Sequence, residues 1–305
     1  MAIATVQAVI NGQTHTLTWN GTSGKYEATI TAPATTSYGQ PNNVYDVAVT
    51  ATDVAGNATT KDSTDPTLGS SLALAVKEKV APTITIVSPG AGSKLTNNKP
   101  TVTFQLRDSG SGIKIASLAF KIDGGTSIAY NGTGMTASTV AGGYDCTFVV
   151  QTALGDGNHT FTVDVQDNDL NVATQASRTV TVDTVAPTLN VTAPSDNLIT
   201  KTAAQNVTGI TSDLTSSPVT VTVKLNNVDQ GVVTIDGGGN FSKAITLANG
   251  SNTIIVTATD GAGKYSTVTR TVTLDTTPPT ITLVEITPNP VDAGATYVIK
   301  VTVTD

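Results

Sequence analysis

Cysteine, histidine and aromatic residues are nearly missing from this chain of 305 residues: it has one cysteine, two histidines and one tryptophan, and only 4% of its residues are aromatic. The lone Cys146 excludes an internal disulfide framework and a thiolate metal cage. In GYDCTFVV it shares a strand face with Tyr144 and Phe148, which predicts a buried, inert thiol. Positive charge is also scarce, with 16 Lys and Arg against 23 Asp and Glu, a formal charge of −7 and no basic cluster. The electrostatic footprint that nucleic-acid binding requires is therefore absent, and an anionic membrane surface is a poor partner. No apolar run is long enough for a helical membrane span. The opening MAIATVQAVINGQ carries no basic n-region, the first cation being Lys25. A chain with this start is expected to be made and kept in a cytoplasm unless lysis or a signal outside the sequence releases it.

Val, Thr, Ile, Asn and Gly are abundant, a composition that favours short strands joined by turns. No helical period extends beyond two turns, and the length suits two to four domains, each with its own core. Three linkers match one another: KEKVAPTITI around Pro82, VDTVAPTLNV around Pro187 and LDTTPPTITL around Pro279. They are 105 and 92 positions apart (187 − 82 and 279 − 187). Alternating strands at a repeat of about 100 residues predict an all-β chain of tandem immunoglobulin-like sandwiches. A second element recurs with them, a strand closed by an Asp and a hairpin: VAVTATDVAGN, FTVDVQDNDLN and IIVTATDGAGK. The middle copy departs from the pattern at DNDLN, so its turn is expected to differ.

These TATDxAGN hairpins and DTxAPT junctions resemble the tandem bacterial immunoglobulin-like repeats of surface adhesins and of phage tail or virion proteins. The likeness runs along essentially the whole chain and specifies a fold better than a function. It implies a non-enzymatic structural protein of a phage virion or tail, made in the host cytoplasm. Its partners would be other virion proteins and a host-surface glycan or protein. A bacterial cell-surface adhesin or filament subunit is the alternative, and an accessory binding module of an extracellular enzyme comes third.

Superposing the repeats gives four segments: a unit at 1–80 without strands A and B, full domains at 81–185 and 186–277, and a pair of A and B strands at 278–305. Aligning Asn11-Gly12 with Asp123-Gly124 places Met1 at the repeat position of Ile113, while Asp305 falls at that of Asp108. The first and last segments are then complementary parts of one sandwich, and completion in trans, head to tail, is expected. Ile281, Leu283, Ile286, Ile299, Val301 and Val303 would point into the acceptor.

Catalytic patterns are lacking. His15 and His159 have no second histidine or cysteine nearby and read as solvated strand or turn residues. GAGSK at 90–94 is a turn without the context of a phosphate loop, and no Ser lies in a nucleophile elbow. Asp167 and Asp169, with Asp183 in the following linker, offer oxygen ligands for calcium, and Asp53, Asp260 and Asp275 are their counterparts elsewhere. Asx turns account for the same residues without a metal, and no cofactor is the favoured expectation. For surface recognition the long insertion TTSYGQPNNVYD puts Tyr38 and Tyr45 forward. Trp19 lies near a hairpin turn, where exposure would make it a platform for carbohydrate, but it shares a strand face with Leu17, which favours a packing role.

Overall fold

The Asn-Gly and Asp-Gly pairs between alternating runs become tight hairpin turns in the computed structural model, which describes residues 2–305. Both central residues take positive φ at Asn11–Gly12 (47° and 74°), Asp123–Gly124 (51° and 69°) and Asn226–Asn227 (48° and 68°). This is the turn whose twist matches that of the flanking strands, and Gly or Asn tolerates it best. Residues up to Val182 form one compact unit and Asp183–Asp305 a second.

The first unit opens with β1 (Ile3–Ile10), β2 (Gln13–Asn20), β3 (Lys25–Glu27), β4 (Tyr45–Asp53), β5 (Ala58–Lys61) and β6 (Ala73–Leu74). They make one sheet in the order β3-β2-β1-β4-β5, with β6 on β4. No strand of the sandwich that follows in this unit pairs with it, and its Val6 and Ala8 belong to neither buried core cluster. The first unit continues with β7 (Thr83–Ser88), β8 (Lys94–Leu95), β9 (Thr101–Arg107), β10 (Ile113–Ile122), β11 (Met135–Val140), β12 (Gly143–Val149), β13 (Gly157–Asp167) and β14 (Ala176–Val182). Here the sheets β10-β13-β14-β8 and β11-β12-β9-β7 close a sandwich. Phe120 sits at its centre, with ring centroids 5.9, 4.7 and 6.0 Å from those of Phe104, Phe148 and Phe161. Cys146 is buried in this core.

In the second unit β15 (Thr188–Ala193), β16 (Leu198–Thr200), β17 (Ala204–Ser212), β18 (Thr220–Leu225), β19 (Val228–Asp229), β20 (Asn240–Thr246), β21 (Gly250–Thr259) and β22 (Tyr265–Leu274) repeat the design. Sheets β15-β17-β20 and β16-β22-β21-β18-β19 enclose a core that includes Val223, Ile254, Val256 and Val272. An arginine ties the two sheets of each complete sandwich: Arg178 Nη2 donates to Ile86 O at 2.7 Å, and Arg270 Nη2 to Val191 O at 3.2 Å. Last come β23 (Thr280–Thr287) and β24 (Val298–Thr304), a two-stranded hairpin in which every residue is exposed.

The hairpins after β4, β13 and β21 are tied by one device. The closing aspartate accepts the backbone N–H four residues on, from Asn57, Asn171 and Lys264, at 2.9, 2.8 and 2.9 Å. DNDLN therefore forms the same turn as its counterparts, contrary to the expectation from sequence. The carboxylate, not the turn residues, dictates the shape. The third residue after each aspartate has positive φ: Gly56 (88°), Leu170 (73°) and Gly263 (92°). A leucine in that region costs about 1–2 kcal/mol, and Leu170 is 52% exposed, so little burial offsets the strain. Leu170→Gly should raise stability by about 0.5–1 kcal/mol, read as a higher urea midpoint; an unchanged or lower midpoint contradicts this account of the turn.

Candidate functional site

The linker, the end of the second strand and the hairpin aspartate converge in both complete sandwiches. In the first, Glu78, Asp108 and Asp167 bring carboxylate oxygens within 4.8 Å of one another; in the second, Asp183, Asp213 and Asp260 do so. Glu78 and Asp183 both lie four residues before the linker proline, at Pro82 and Pro187. Asp108 and Asp213 each follow the strand that runs into the linker end of the sandwich, β9 and β17. Three separate stretches of chain thus supply each group.

Turn amides hold the first group. Gly112 N donates to Asp108 Oδ2 at 3.1 Å and Ser111 N donates to a Glu78 carboxylate oxygen. Asp167 accepts Asn171 N at Oδ1 (2.8 Å) and Asn171 Nδ2 at Oδ2 (2.7 Å). The second group is held on one side only. Asp183 Oδ1 accepts Val185 N (3.1 Å), Asp213 Oδ1 accepts Thr215 N (2.9 Å) and Ser216 N (2.6 Å), and Asp260 Oδ1 accepts Ala262 N (2.8 Å). The other oxygens of Asp183 and Asp260 are buried without a hydrogen-bond partner, as is Ser216 Oγ.

The calcium alternative Asp167, Asp169 and Asp183 is regrouped by this geometry. Asp167 joins Glu78 and Asp108, Asp183 joins Asp213 and Asp260, and Asp169 belongs to neither group. Asp169 Oδ2 instead accepts Thr36 Oγ1 (2.5 Å) and Glu78 N (3.0 Å), pinning the N-terminal insertion and the linker to the hairpin after β13. Glu78, Asp108 and Asp213 were missed because they are far apart in sequence, although each recurs at a fixed offset from a linker or a strand end.

The aromatic candidates separate as well. Tyr38 is 43% exposed on its insertion, whereas Tyr45 is only 5% exposed. The Tyr45 hydroxyl is 2.7 Å from Thr35 Oγ1 and donates to Thr35 O at 3.3 Å, so it anchors the base of the insertion and is not available for surface recognition. Trp19 departs from the packing role expected of it. It is 58% exposed and meets Tyr26 edge-on, with ring centroids 5.3 Å apart.

The family model for a bacterial Ig domain matches residues 82–163, and that for glucodextranase, domain B, matches 187–276. Residues 82–276 thus carry tandem bacterial immunoglobulin-like repeats. Similar solved structures include the Clostridium thermocellum CbhA fibronectin(III)-like modules, 17% identical over 63% of this chain and 94% of that one, with a TM-score of 0.40. Sidekick-1 immunoglobulin domains 1–4 are 12% identical over 90% of this chain and 68% of that one, with a TM-score of 0.38. Bacteroides ovatus SGBP-B in complex with a mixed-linkage heptasaccharide is 15% identical over 93% and 66%, with a TM-score of 0.23. No curated protein matches the chain.

Immunoglobulin-like repeats of this kind typically carry no catalytic machinery, and the titratable groups here have structural settings. Burial pushes the Cys146 thiol up to about 11, away from nucleophilic reactivity. His159 lies 2.7 Å (Nδ1) from Asp123 Oδ2 and 2.8 Å (Nε2) from Gly155 O. Burial opposes the imidazolium, but those two acceptors outweigh it and hold the pKa above its ordinary value. The stabilisation from this ring is therefore complete below the unfolded pKa of about 6.5 and is lost as pH rises through the raised folded value. The loss of thermal midpoint in His159→Gln should accordingly be larger near pH 6 than near pH 9; a pH-independent loss contradicts the charged form.

Proposed function

We propose that this array is a non-catalytic structural protein whose copies join head to tail, β23–β24 of one covering the open sheet β1–β6 of the next. One comparison between repeats carries the reading. Val102, Phe104 and Leu106 on β9 are at most 1% exposed, whereas Ile299, Val301 and Val303 at the equivalent positions of β24 are 53, 49 and 53% exposed. On the acceptor side, Phe161, Val163 and Val165 are buried, and their counterparts Val47, Val49 and Ala51 are half-open.

The register refines the donor set. Ile281 pairs with Val303 and Ile286 with Ile299, but a bulge between Ile281 and Leu283 sets Leu283 opposite Thr302 and Val284 opposite Val301. A one-residue slip reverses the faces, so Val284 replaces Leu283 beside Ile281, Ile286, Ile299, Val301 and Val303. Six such side chains contribute on the order of 9–18 kcal/mol gross, before the costs of association and ordering. β9 pairs with β12, and by repeat equivalence β24 would pair with β3, adding main-chain hydrogen bonds to side-chain register.

The resemblance to phage tail and virion repeats supports a place in a virion, and the same joint would serve a bacterial surface filament. Tyr38 is an aromatic group available to a host glycan or protein, whereas Trp19 and Tyr26 pair on the face that carries Val47 and Val49 and so belong to the acceptor. The match of residues 187–276 to glucodextranase domain B favours, as a second reading, an accessory module beside an enzyme. Sedimentation velocity over a concentration series should show oligomers that grow with concentration. Deleting 279–305 should abolish them, and Val301→Asp should weaken them by burying an unpaired charge. A monomer at every concentration, unchanged by either variant, overturns head-to-tail joining.

A further inference from the structure

We infer that Asp183, Asp213 and Asp260, with Ser216, bind a hard divalent cation, and the donor chemistry assigns calcium. All the donors are oxygens, which excludes the nitrogen and sulfur ligands of a zinc site. Oxygens on opposite sides of a calcium ion at about 2.4 Å stand up to about 4.8 Å apart, so the three carboxylates lie within reach of one ion. They come from a linker, a strand end and a hairpin, an irregular set that suits calcium better than the strict octahedron of magnesium.

The buried unpartnered oxygens give independent support. Asp183 is fully buried and Asp260 is 6% exposed, and each has a side-chain oxygen with no donor. Ser216 is fully buried with its hydroxyl unpaired, and Gly261 N donates to Ser216 O at 2.7 Å, which sets this residue against the Asp260 hairpin. No Lys, Arg or His forms an ion pair with the three carboxylates among the described residues. Gathering buried like charges in this way is costly unless a cation joins them.

One position separates this group from its counterpart. Asn57 and Asn171 turn their side-chain amides back onto Asp53 Oδ2 and Asp167 Oδ2, at 2.9 and 2.7 Å. Lys264 occupies the same position after Asp260 and has no amide to return, so Asp260 Oδ2 stays open. Asn171 thus closes the oxygen that Lys264 leaves for the ion.

Calorimetric titration of the chelator-treated full chain with calcium chloride should find one ion per chain and a higher thermal midpoint with the ion bound. Asp183→Asn and Asp260→Asn should each weaken binding roughly tenfold or more, while Asp167→Asn leaves it unchanged. Lys264→Asn imports the cap that already serves two sister hairpins, so it should fold as the parent does and still lose affinity. Absence of binding at millimolar calcium overturns the site. So does binding that survives Asp183→Asn, Asp260→Asn and Lys264→Asn.

Discussion

A β-sheet with one apolar face is stable in water only when a second layer covers that face, and this constraint sorts the whole chain. Where both layers are present, at β7–β14 and β15–β22, the inward residues of alternating strands are almost fully buried. Where one layer is missing, the same alternation leaves Val47 and Val49 half-open and Ile299, Val301 and Val303 exposed. The chemistry of the strands is the same in both cases. Only the cover differs, and the proposed joint supplies it from a second copy.

A single carboxylate governs the other end of each repeat. The aspartate that closes the long hairpin spends one oxygen on backbone amides and so shapes the turn even where a leucine must take positive φ. Its second oxygen is at the disposal of whatever follows. An asparagine satisfies it at Asn57 and Asn171, and a lysine at 264 does not. Repeats that share a backbone therefore differ in chemistry through one side chain four residues downstream. The linker carboxylate and the strand-end aspartate come within 4.8 Å of the hairpin carboxylate because the packing of the two sheets brings those chain segments together.

Features that depend on local pattern were legible in the sequence. The three proline linkers marked the repeats, Asn11-Gly12 and Asp123-Gly124 marked hairpin turns, and Cys146 between Tyr144 and Phe148 marked a core thiol. Features that depend on long-range pairing were not. Alternation places Leu283 beside Val301, but a bulge moves it to the other face, and a bulge has no signature in TITLVEIT. Trp19 follows Leu17 on one strand face and is exposed because no layer reaches that part of β2. Tyr45 flanks a polar insertion and is buried because its hydroxyl bonds back to Thr35. The carboxylate groups join residues as far apart as Glu78 and Asp167, which only the folded sheets bring together.

Hydrogen exchange along the chain, compared at low and high protein concentration, tests head-to-tail closure most directly. Amides of β9, β13, β17 and β21 should be protected at both concentrations, because their sandwiches are complete. Those of β1, β3, β4 and β24 should exchange fast in dilute solution and become protected together as concentration rises. Strong protection of β1 and β4 in dilute solution, or no change in β3 and β24 on concentration, would contradict closure by a second copy.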